Sequence, residues 1–198
     1  MMAKRLFDLV ASTLGLLVLS PLFVVIAVLI KLESAGPIFF RQERIGQYGK
    51  PFRIHKFRTM VSDAETRGPQ ITIGEDSRVT RIGIFLRKYK FDELAQLIDV
   101  MLGRMSLVGP RPEVARYVDC YPKDVKDIVL SVKPGITDWA SIEYKDESTV
   151  LGAAADPHHA YIHEVLPIKL NYYLSYVNNR SFAGDVAIIL STLRAIVR

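Results

Sequence analysis

The sequence predicts an α+β fold that is mainly helical, with a membrane segment at the N-terminus and a small cytosolic domain after it. Three observations predict this fold. Residues 6–30 are almost wholly apolar, a glycine- and aromatic-rich stretch suited to a short β element follows, and apolar residues then recur at helical spacing. We expect a membrane segment at residues 1–31 and one domain at residues 32–198, whose amphipathic helices lie at the headgroup level.

The first element is the apolar segment 6–30, in which Asp8 is the one charged residue. A helix of this length reaches about 37 Å and exceeds the roughly 30 Å hydrocarbon core of a bilayer. The segment is too long for the apolar part of a signal peptide, and no small-residue cleavage site follows it. We therefore expect it to remain in a membrane.

Ser20 and Pro21 interrupt this segment near its middle, and proline there predicts a kink or a break. One interpretation is a spanning helix with a bend, which membrane helices tolerate. The other is a re-entrant helix-break-helix that enters and leaves on one face. Basic residues flank both ends, and the positive-inside rule then places both flanks in the cytosol, which favours the re-entrant form. Asp8 is placed to pair with Lys4 or Arg5 on the same helix.

Positive charge is concentrated beside this segment. Up to residue 60 there are nine lysines and arginines against three acidic residues, whereas the remainder has 17 against 18. Anionic lipid headgroups or phosphate ligands are the expected partners. A nucleic-acid partner is disfavoured, because the basic residues lie beside an apolar segment without a binding-fold signature. The single cysteine, Cys120, excludes an intrachain disulfide and suits a reducing cytosol.

Turn residues divide the rest of the chain. Glycines and prolines bracket short apolar-aromatic runs between residues 36 and 59, which is typical of a small strand pair. Residues 61–80 are polar and predict a loop. Later segments predict, in order, a proline-fixed loop at 107–113, a short helix opened by Pro122, a turn at 133–137, and two amphipathic or buried helices at 166–177 and 185–197.

The clearest helix follows residue 92. Apolar residues at 94, 97, 98, 101 and 102 have the i, i+3, i+4, i+7, i+8 spacing of an amphipathic helix. Gly103 is its stop signal, and Asp92 and Glu93 stand at its start. Adjacent acids there commonly complement the helix dipole and cap backbone donors.

The same position also suits a nucleophilic carboxylate. A helix N-terminus stabilises anions, and a carboxylate can attack a phosphoryl group to form an aspartyl phosphate. Because two anions must approach each other, a cation is required, and Mg²⁺ held by one carboxylate and phosphate oxygens is the usual solution. Asp92 and Glu93 could divide these two tasks between them.

Other polar side chains carry weaker signals. Arg87 lies shortly before Asp92, and Arg111 stands between two prolines; a guanidinium binds phosphate oxygens in a bidentate way. The alternative for either arginine is a surface position or a carboxylate partner. The histidines of HHAYIHE, including His159 and His163 at i,i+4, lack a third ligand, so a solvated or packed cluster is favoured over a metal site.

Six segments cover nearly the whole chain, in order: KRLFD with the Ser-Pro interruption after it, GPIFFRQERIG, KFRTM, LRKYKFDELAQLIDVMLGRMSLVGPRPE, KPGIT and YYLSYVNNRSFAGDVAIILSTL. Together they resemble the bacterial sugar transferase family, the small monotopic polyprenyl-phosphate phosphoglycosyl transferases. KFRTM and the DELAQL to GPRP string are highly specific in combination. Two departures are Arg104, where that string has Asp, and KPGITDWAS, where many members continue KPGITG-LAQ.

The resemblance implies transfer of a sugar 1-phosphate from a UDP-sugar to polyprenyl (undecaprenyl) phosphate, with release of UMP and a covalent aspartyl phosphosugar intermediate. Such enzymes initiate exopolysaccharide, capsule, O-antigen or glycoprotein glycan assembly on the cytoplasmic face of the bacterial inner membrane. Membrane lipids and downstream glycosyltransferases are the further partners implied. The sequence does not determine whether the protein forms a homo-oligomer.

The resemblance also implies roles for single residues within the catalytic domain at 32–198. Asp92 matches the nucleophile and Glu93 the Mg²⁺ ligand. The phosphate-binding positions are Arg87, Arg111, Lys56 and Arg58, and the helix break is Ser20-Pro21. Two rival functions lose ground: a Mg²⁺-dependent nucleotide-sugar hydrolase would not need the apolar segment, and a membrane scaffold would leave the Asp-Glu pair without a task.

Overall fold

The computed structural model describes residues 2–64, 76–144 and 151–197. The helices are α1 Met2–Glu33, α2 Arg81–Lys88, α3 Leu97–Met101, α4 Ala115–Val118, α5 Lys123–Val129, α6 Trp139–Glu143, α7 Pro157–Ala160, α8 Leu166–Asn179 and α9 Phe182–Val197. The strands are β1 Phe39–Phe40, β2 Glu43–Ile45, β3 Pro51–Arg53, β4 Lys56–Phe57, β5 Ser106–Val108 and β6 Gly135–Thr137. Two 3₁₀ turns, Gln47–Gly49 and Phe91–Gln96, and one π-helical turn, Tyr161–Val165, complete these ranges. The mainly helical class with little sheet is confirmed.

Helix α1 is long and apolar enough to cross a membrane, and 11% of its most apolar window is buried. This confirms the long apolar helix. The backbone stays helical through Pro21, so the chain does not leave the helical conformation there, and the predicted kink at Ser20-Pro21 stays a prediction. One side-chain hydrogen bond compensates for the backbone hydrogen bond that the helix loses at Pro21. Pro21 lacks the N–H that would donate to the carbonyl of Leu17. The Ser20 hydroxyl donates to that carbonyl instead, at 2.8 Å.

Polar contacts fix the first turns of α1 to the domain. Asp8 is 3% exposed and accepts hydrogen bonds from the Ser106 hydroxyl at 2.9 Å and the Leu107 N–H at 3.2 Å. The predicted pairing of Asp8 with Lys4 or Arg5 is wrong, because folding brings partners from distant elements within reach. The two cations bind elsewhere: the carboxylate of Asp185 on α9, and the carbonyls of Val100 and Met101 at the end of α3.

The other end of α1 is fixed to the same domain. Arg58 donates to the carbonyls of Ala35 and Ser34, at 2.5 and 2.7 Å, just after the helix. The carboxylate of Glu33 accepts from the first two backbone N–H groups of α2, at 2.7 and 3.0 Å. Both ends of this 32-residue helix therefore contact the part of the chain that follows it.

The β element near residues 39–57 consists of two antiparallel pairs, β1 with β4 and β2 with β3. A third pair, β5 with β6, is parallel. The predicted turn at 133–137 is therefore wrong at residues 135–137, which form β6. The backbones approach so closely that a Cβ on Gly135 would lie 2.1 Å from the Gly109 nitrogen. Glycine here permits strand contact rather than a turn, and local sequence does not separate the two uses.

The structure shows which side of the helical segment after residue 90 is buried, which the periodicity left open. It begins as the 3₁₀ turn, continues as α3 and stops before Gly103, whose φ is +78°. Its buried side is formed by Asp92, Ala95, Gln96, Asp99 and Val100. By contrast, Met101 and Leu102 of the apolar stripe are 37% and 53% exposed. Leu97 lies against Gly15 of α1, where an added Cβ would come within 3.2 Å of it. The apolar stripe thus faces α1 and the surface.

The C-terminal half holds the largest apolar core. Both predicted C-terminal helices are confirmed as α8 and α9, and Pro122 stands directly before α5 as predicted. The π-helical turn precedes Pro167, which has no N–H for the carbonyl one turn earlier, and a widened turn accommodates such a proline. Tyr161 in this turn is 2% exposed within the core. Of the loop predicted at 61–80, residues 65–75 lie outside the described ranges.

Candidate active site

Four segments from three separate parts of the chain meet around one cleft of about 2020 Å³. They are β4 with the residues after it, α2, the 3₁₀ turn before α3, and the loop that follows β5. The lining includes all six residues to which the sequence assigned a chemical role: Lys56, Arg58, Arg87, Asp92, Glu93 and Arg111. The fold therefore brings these side chains together, and their individual contacts distinguish what each can do.

Asp92 lies in the first turn of the 3₁₀ segment, as predicted. It is 8% exposed, and its Oδ1 atom is buried without a hydrogen-bond partner among the described residues. Burial, together with the charge of Glu93, raises the pKa of the Asp92 carboxyl, whereas Lys56 and Arg87 oppose the rise. An unsatisfied buried oxygen costs free energy, about 1–3 kcal/mol. Groups with such perturbed surroundings in a cleft are candidates for catalysis.

Glu93, the next residue, has the opposite surroundings. Arg111 donates two hydrogen bonds to its carboxylate, one of them 3.0 Å from Nη1 to Oε2, and Lys56 donates another at 2.9 Å. Burial alone would raise the pKa of Glu93, but Arg111 and Lys56 outweigh it and hold that pKa well below its usual range. Glu93 is therefore the stronger acid of the pair. Adjacent carboxylates whose environments separate their pKa values can take different roles.

Lys56 reaches Glu93 from a strand that is anchored by Asp99. Asp99 is 0% exposed; its Oδ2 accepts from the His55 backbone N–H at 2.7 Å, and its Oδ1 lies 2.8 Å from Nδ1 of the same histidine. Burial lowers the pKa of Lys56, and Glu93 opposes that shift. The sequence analysis missed His55 and Asp99. The available signal was spacing, since Asp99 follows Asp92 by two helical turns on one face.

The two remaining predicted arginines differ in their contacts. The Nε of Arg87 donates to the hydroxyl of Thr59 at 2.8 Å. Burial lowers the pKa of Arg87, and Asp92 is the strongest charge opposing this, so the two groups act on each other. Arg58, by contrast, is 5% exposed and directs its guanidinium to the carbonyls that follow α1. Its contacts favour a structural role over the predicted phosphate binding.

Arg111 stands in the loop at 109–113, and Glu113 closes that loop. Glu113 is 6% exposed and accepts hydrogen bonds from the Tyr161 hydroxyl at 2.6 Å and the Lys169 ammonium at 3.1 Å. The sequence analysis missed both Glu113 and Lys169. A usable signal was present in α8, where Lys169 is the one charged residue of a mostly apolar and aromatic run, LPIKLNYYL.

Among the described residues, no group of three or more histidine, cysteine or acidic side chains is arranged to hold a metal ion. Glu93 nevertheless fits the predicted Mg²⁺ ligand in one respect. Within the described ranges its Oε2 accepts one hydrogen bond, from Arg111, which leaves a lone pair for a cation. Mg²⁺ is usually bound through one or two carboxylates together with substrate phosphates. The donor set therefore suits an ion that is held jointly with a phosphate.

Comparison with known proteins defines the class to which this fold and cleft belong. The family described as bacterial sugar transferase matches residues 1–198, and the chain belongs to this family.

Several relatives have names that describe a reaction. A UDP-N-acetylgalactosamine-undecaprenyl-phosphate N-acetylgalactosaminephosphotransferase of Aeromonas hydrophila is 39% identical over 98% of this chain and 43% of its own length. A UDP-glucose:undecaprenyl-phosphate glucose-1-phosphate transferase of Escherichia coli (strain K12) is 37% identical over 96% of this chain and 39% of its own length. An uncharacterized sugar transferase of Bacillus subtilis (strain 168) is 34% identical over 100% and 88%. The chain thus spans less than half the length of the first two relatives and most of the third.

Proposed function

We propose that this protein transfers a sugar 1-phosphate from a UDP-sugar to polyprenyl (undecaprenyl) phosphate and releases UMP. Membership of the bacterial sugar transferase family supports the class of reaction. Two relatives are named for transfers of this kind, one with N-acetylgalactosamine and one with glucose. The proposed reaction is the first membrane step in the assembly of a bacterial glycoconjugate.

The observation that carries the proposal is the contrast between Asp92 and Glu93 in one cleft. In the proposed mechanism the Oδ1 atom of Asp92, which has no hydrogen-bond partner among the described residues, attacks the phosphorus next to the sugar. The bond from that phosphorus to the UMP oxygen breaks, and UMP leaves with the electron pair. The second step reverses this pattern. A phosphate oxygen of the lipid attacks the phosphorus of the aspartyl phosphosugar, and the carboxylate of Asp92 leaves.

The surrounding cations support this chemistry. Arg111 and Arg87 would bind the phosphate oxygens of the diphosphate, because a planar guanidinium matches two oxygens at once. Lys56 and Arg111 keep Glu93 ionised, so its remaining lone pair suits Mg²⁺. When bound, Mg²⁺ supplies positive charge to phosphate oxygens and lowers the repulsion between substrate and carboxylate. The raised pKa of Asp92 makes it the more nucleophilic of the two carboxylates once it is deprotonated.

The proposed location is the cytoplasmic face of the bacterial inner membrane. The outward side of α1 is covered by exposed apolar residues, among them Leu14 at 56%, Leu17 at 66% and Val18 at 76%. If α1 crossed the bilayer, its two ends would lie on opposite faces, about 30 Å apart. In this protein both ends of α1 contact residues of the chain that follows it, which supports a placement of both ends at one face, with a bend of the helix at Ser20-Pro21 as part of the proposal. The phosphate of the lipid substrate lies at that same interface.

Cysteine labelling tests the topology. We would replace Met2 with cysteine in a Cys120→Ser background and treat intact cells with a membrane-impermeant maleimide. We expect no labelling until the membrane is permeabilised, because residue 2 faces the cytosol. Labelling of intact cells would overturn the re-entrant placement. A Pro21→Leu change should move some molecules to the spanning form, since it restores a regular backbone donor.

A UMP-release assay over a panel of UDP-sugars, with and without polyprenyl phosphate, tests the reaction. Without lipid we expect at most one UMP per enzyme and a mass gain of one sugar phosphate on Asp92, measured by intact-protein and peptide mass spectrometry. Polyprenyl phosphate should discharge that mass and restore turnover. Full turnover without lipid would indicate a hydrolase instead, and a requirement for both substrates before any UMP appears would exclude the covalent route.

A further inference from the structure

A second group of buried charges lies behind the loop at 109–113 and has no part in the chemistry above. Glu113 and Lys169 are 6% and 3% exposed and form an ion pair at 3.1 Å. The Tyr161 hydroxyl donates to the same oxygen of Glu113 at 2.6 Å, and Lys169 also lies 3.1 Å from that hydroxyl. We call these three residues the Glu113 cluster.

The loop is also held from its other side. The backbone carbonyl of Glu113 accepts from the N–H of Ile45, in β2, at 2.9 Å. Arg44 donates to the carbonyl of Pro112 at 3.2 Å, and its guanidinium lies 3.6 Å from the second oxygen of Glu113. The C-terminal side of the loop is therefore attached to β2 on one side and to α8 and the π-helical turn on the other.

Arg111 has little freedom to move independently of this attachment. Pro110 and Pro112 stand on either side of it, and each proline has a fixed φ and restricts the residue before it. A displacement of Glu113 is therefore passed to Arg111 through one rigid residue. The side chain of Arg111 leads in turn to Glu93, to which it donates two hydrogen bonds.

The ionised state of the cluster is itself informative. Burial alone would raise the pKa of Glu113, but Lys169 and Arg44, with hydrogen bonds from Tyr161 and Lys169, hold it below its usual range. A buried ion pair is a poor source of stability, because desolvation cancels much of the attraction and an apolar pair of similar volume often serves equally well. Its better attested use is to specify one arrangement of the structure.

We propose that Glu113, held by Lys169 and Tyr161, is a positioning residue that fixes Arg111 where its guanidinium reaches both Glu93 and a substrate phosphate. The inference rests on the function proposed above, in which Arg111 binds phosphate. If the cluster merely stabilised the core, its loss would lower thermal stability and leave the loop and its arginine unchanged in the molecules that stay folded.

The test removes both charges together, with Glu113→Gln and Lys169→Met in the full chain, so that neither member of this pair stays buried without the other; Arg44 keeps its hydrogen bond to the Pro112 carbonyl. The matched control is Asp119→Asn with Lys126→Met, which removes an exposed ion pair of 3.0 Å. Hydrogen exchange is measured by mass spectrometry on peptides that contain Gly109 and Ile45. We expect exchange at these peptides to rise about tenfold or more in the cluster variant and to stay unchanged in the control.

The second measurement is kcat/KM for the UDP-sugar with and without Arg111→Ala. If Glu113 acts through Arg111, adding Arg111→Ala to the cluster variant costs much less than adding it to the wild type, because the two changes remove one function. Should the double variant fail to fold, Tyr161→Phe removes a single hydroxyl. We expect it to lower kcat/KM less than the double variant, and its effect should likewise be non-additive with that of Arg111→Ala.

Equal costs of Arg111→Ala in both backgrounds, or unchanged exchange in the loop, would overturn the positioning role. A wild-type protein that releases no UMP from any UDP-sugar would instead contradict the proposed function, and the exchange measurement, which needs no substrate, would still decide the positioning.

Discussion

Two buried aspartates in this protein have very different surroundings. Asp8, near the start of α1, is 3% exposed and accepts hydrogen bonds from Ser106 and Leu107. Asp92, in the cleft, is 8% exposed, and its Oδ1 has no partner among the described residues. Burial alone therefore does not separate a structural carboxylate from a reactive one. The donors around the carboxylate make the difference, since a satisfied group stabilises the fold and an unsatisfied one is available to a ligand.

The neighbouring cations show the same contrast. At the start of α1, Lys4 pairs with Asp185 and Arg5 with backbone carbonyls, which fixes the helix. In the cleft, Lys56 and Arg111 both donate to Glu93, and their hydrogen bonds do not reach Asp92. These donors thus satisfy Glu93, whereas the Oδ1 atom of Asp92 has no donor among the described residues. This arrangement leaves Asp92 weakly acidic beside a strongly acidic residue.

The largest expected effect is the loss of turnover in Asp92→Asn. A neutral amide is a very poor nucleophile, so kcat should fall by at least about a thousandfold, as when a catalytic nucleophile is removed. The covalent sugar phosphate should disappear as well, as measured by intact-protein mass spectrometry. Thermal stability should hold or rise, because a buried charge with an unsatisfied oxygen is removed. Near wild-type turnover in this variant would show that Asp92 is not the nucleophile, and the contrast with Asp8 would lose its chemical meaning.

The next effect concerns Arg111→Lys. Lysine keeps the charge but cannot form the bidentate contact with Glu93 or with phosphate, so we expect kcat/KM to fall about 10- to 100-fold. Steady-state UMP release at saturating Mg²⁺ is the measurement. Arg116→Lys on the exposed side of α4 is the matched control and should retain full activity. A wild-type rate for Arg111→Lys would remove Arg111 as a phosphate ligand.

A smaller effect, of the opposite kind, is expected from Asp8→Asn. The amide weakens the hydrogen bonds from Ser106 and Leu107, which should cost about 1–3 kcal/mol of unfolding free energy. Turnover per folded molecule should stay close to wild type, because Asp8 lies outside the cleft. Denaturant titration in detergent, with exposed Asp127→Asn as the control, measures the difference. Strong loss of kcat without loss of stability would show that Asp8 has a chemical role.

The smallest effect is the pH dependence of stability in Asp92→Asn and Glu93→Gln. The folded pKa of Asp92 is raised, so its ionised form destabilises the fold. The gain from Asp92→Asn should be largest above that folded pKa, shrink as pH falls below it and vanish below the ordinary aspartate pKa, about 3.9. The folded pKa of Glu93 is depressed, so its stabilisation is present above the ordinary glutamate pKa, about 4.3, and is lost as pH falls towards the folded value. Thermal midpoints from pH 2 to 8 would show both trends, and parallel curves for the two variants would contradict them.

Sequence patterns predicted a large part of this structure because many of its features are local. The apolar run of α1, the periodicity of α8 and α9, and the stop at Gly103 depend on residues within a few positions of one another. The sequence also named six candidate site residues, all of which line one cleft, and three of them lie in short motifs at a helix start and in a proline-bounded loop. Arg58 is the exception, because its motif gave no sign that its guanidinium would bind the end of α1.

The sequence by itself determined the long apolar helix, the amphipathic character of the segment after residue 90, and the candidate pair Asp92 and Glu93. The tertiary structure decided which side of that segment is buried, because periodicity defines two faces and does not say which one meets the core. It also decided which carboxylate is neutralised: Lys56 and Arg111 reach Glu93 from 37 and 18 residues away. Such contacts depend on how distant segments pack, and no local pattern contains them.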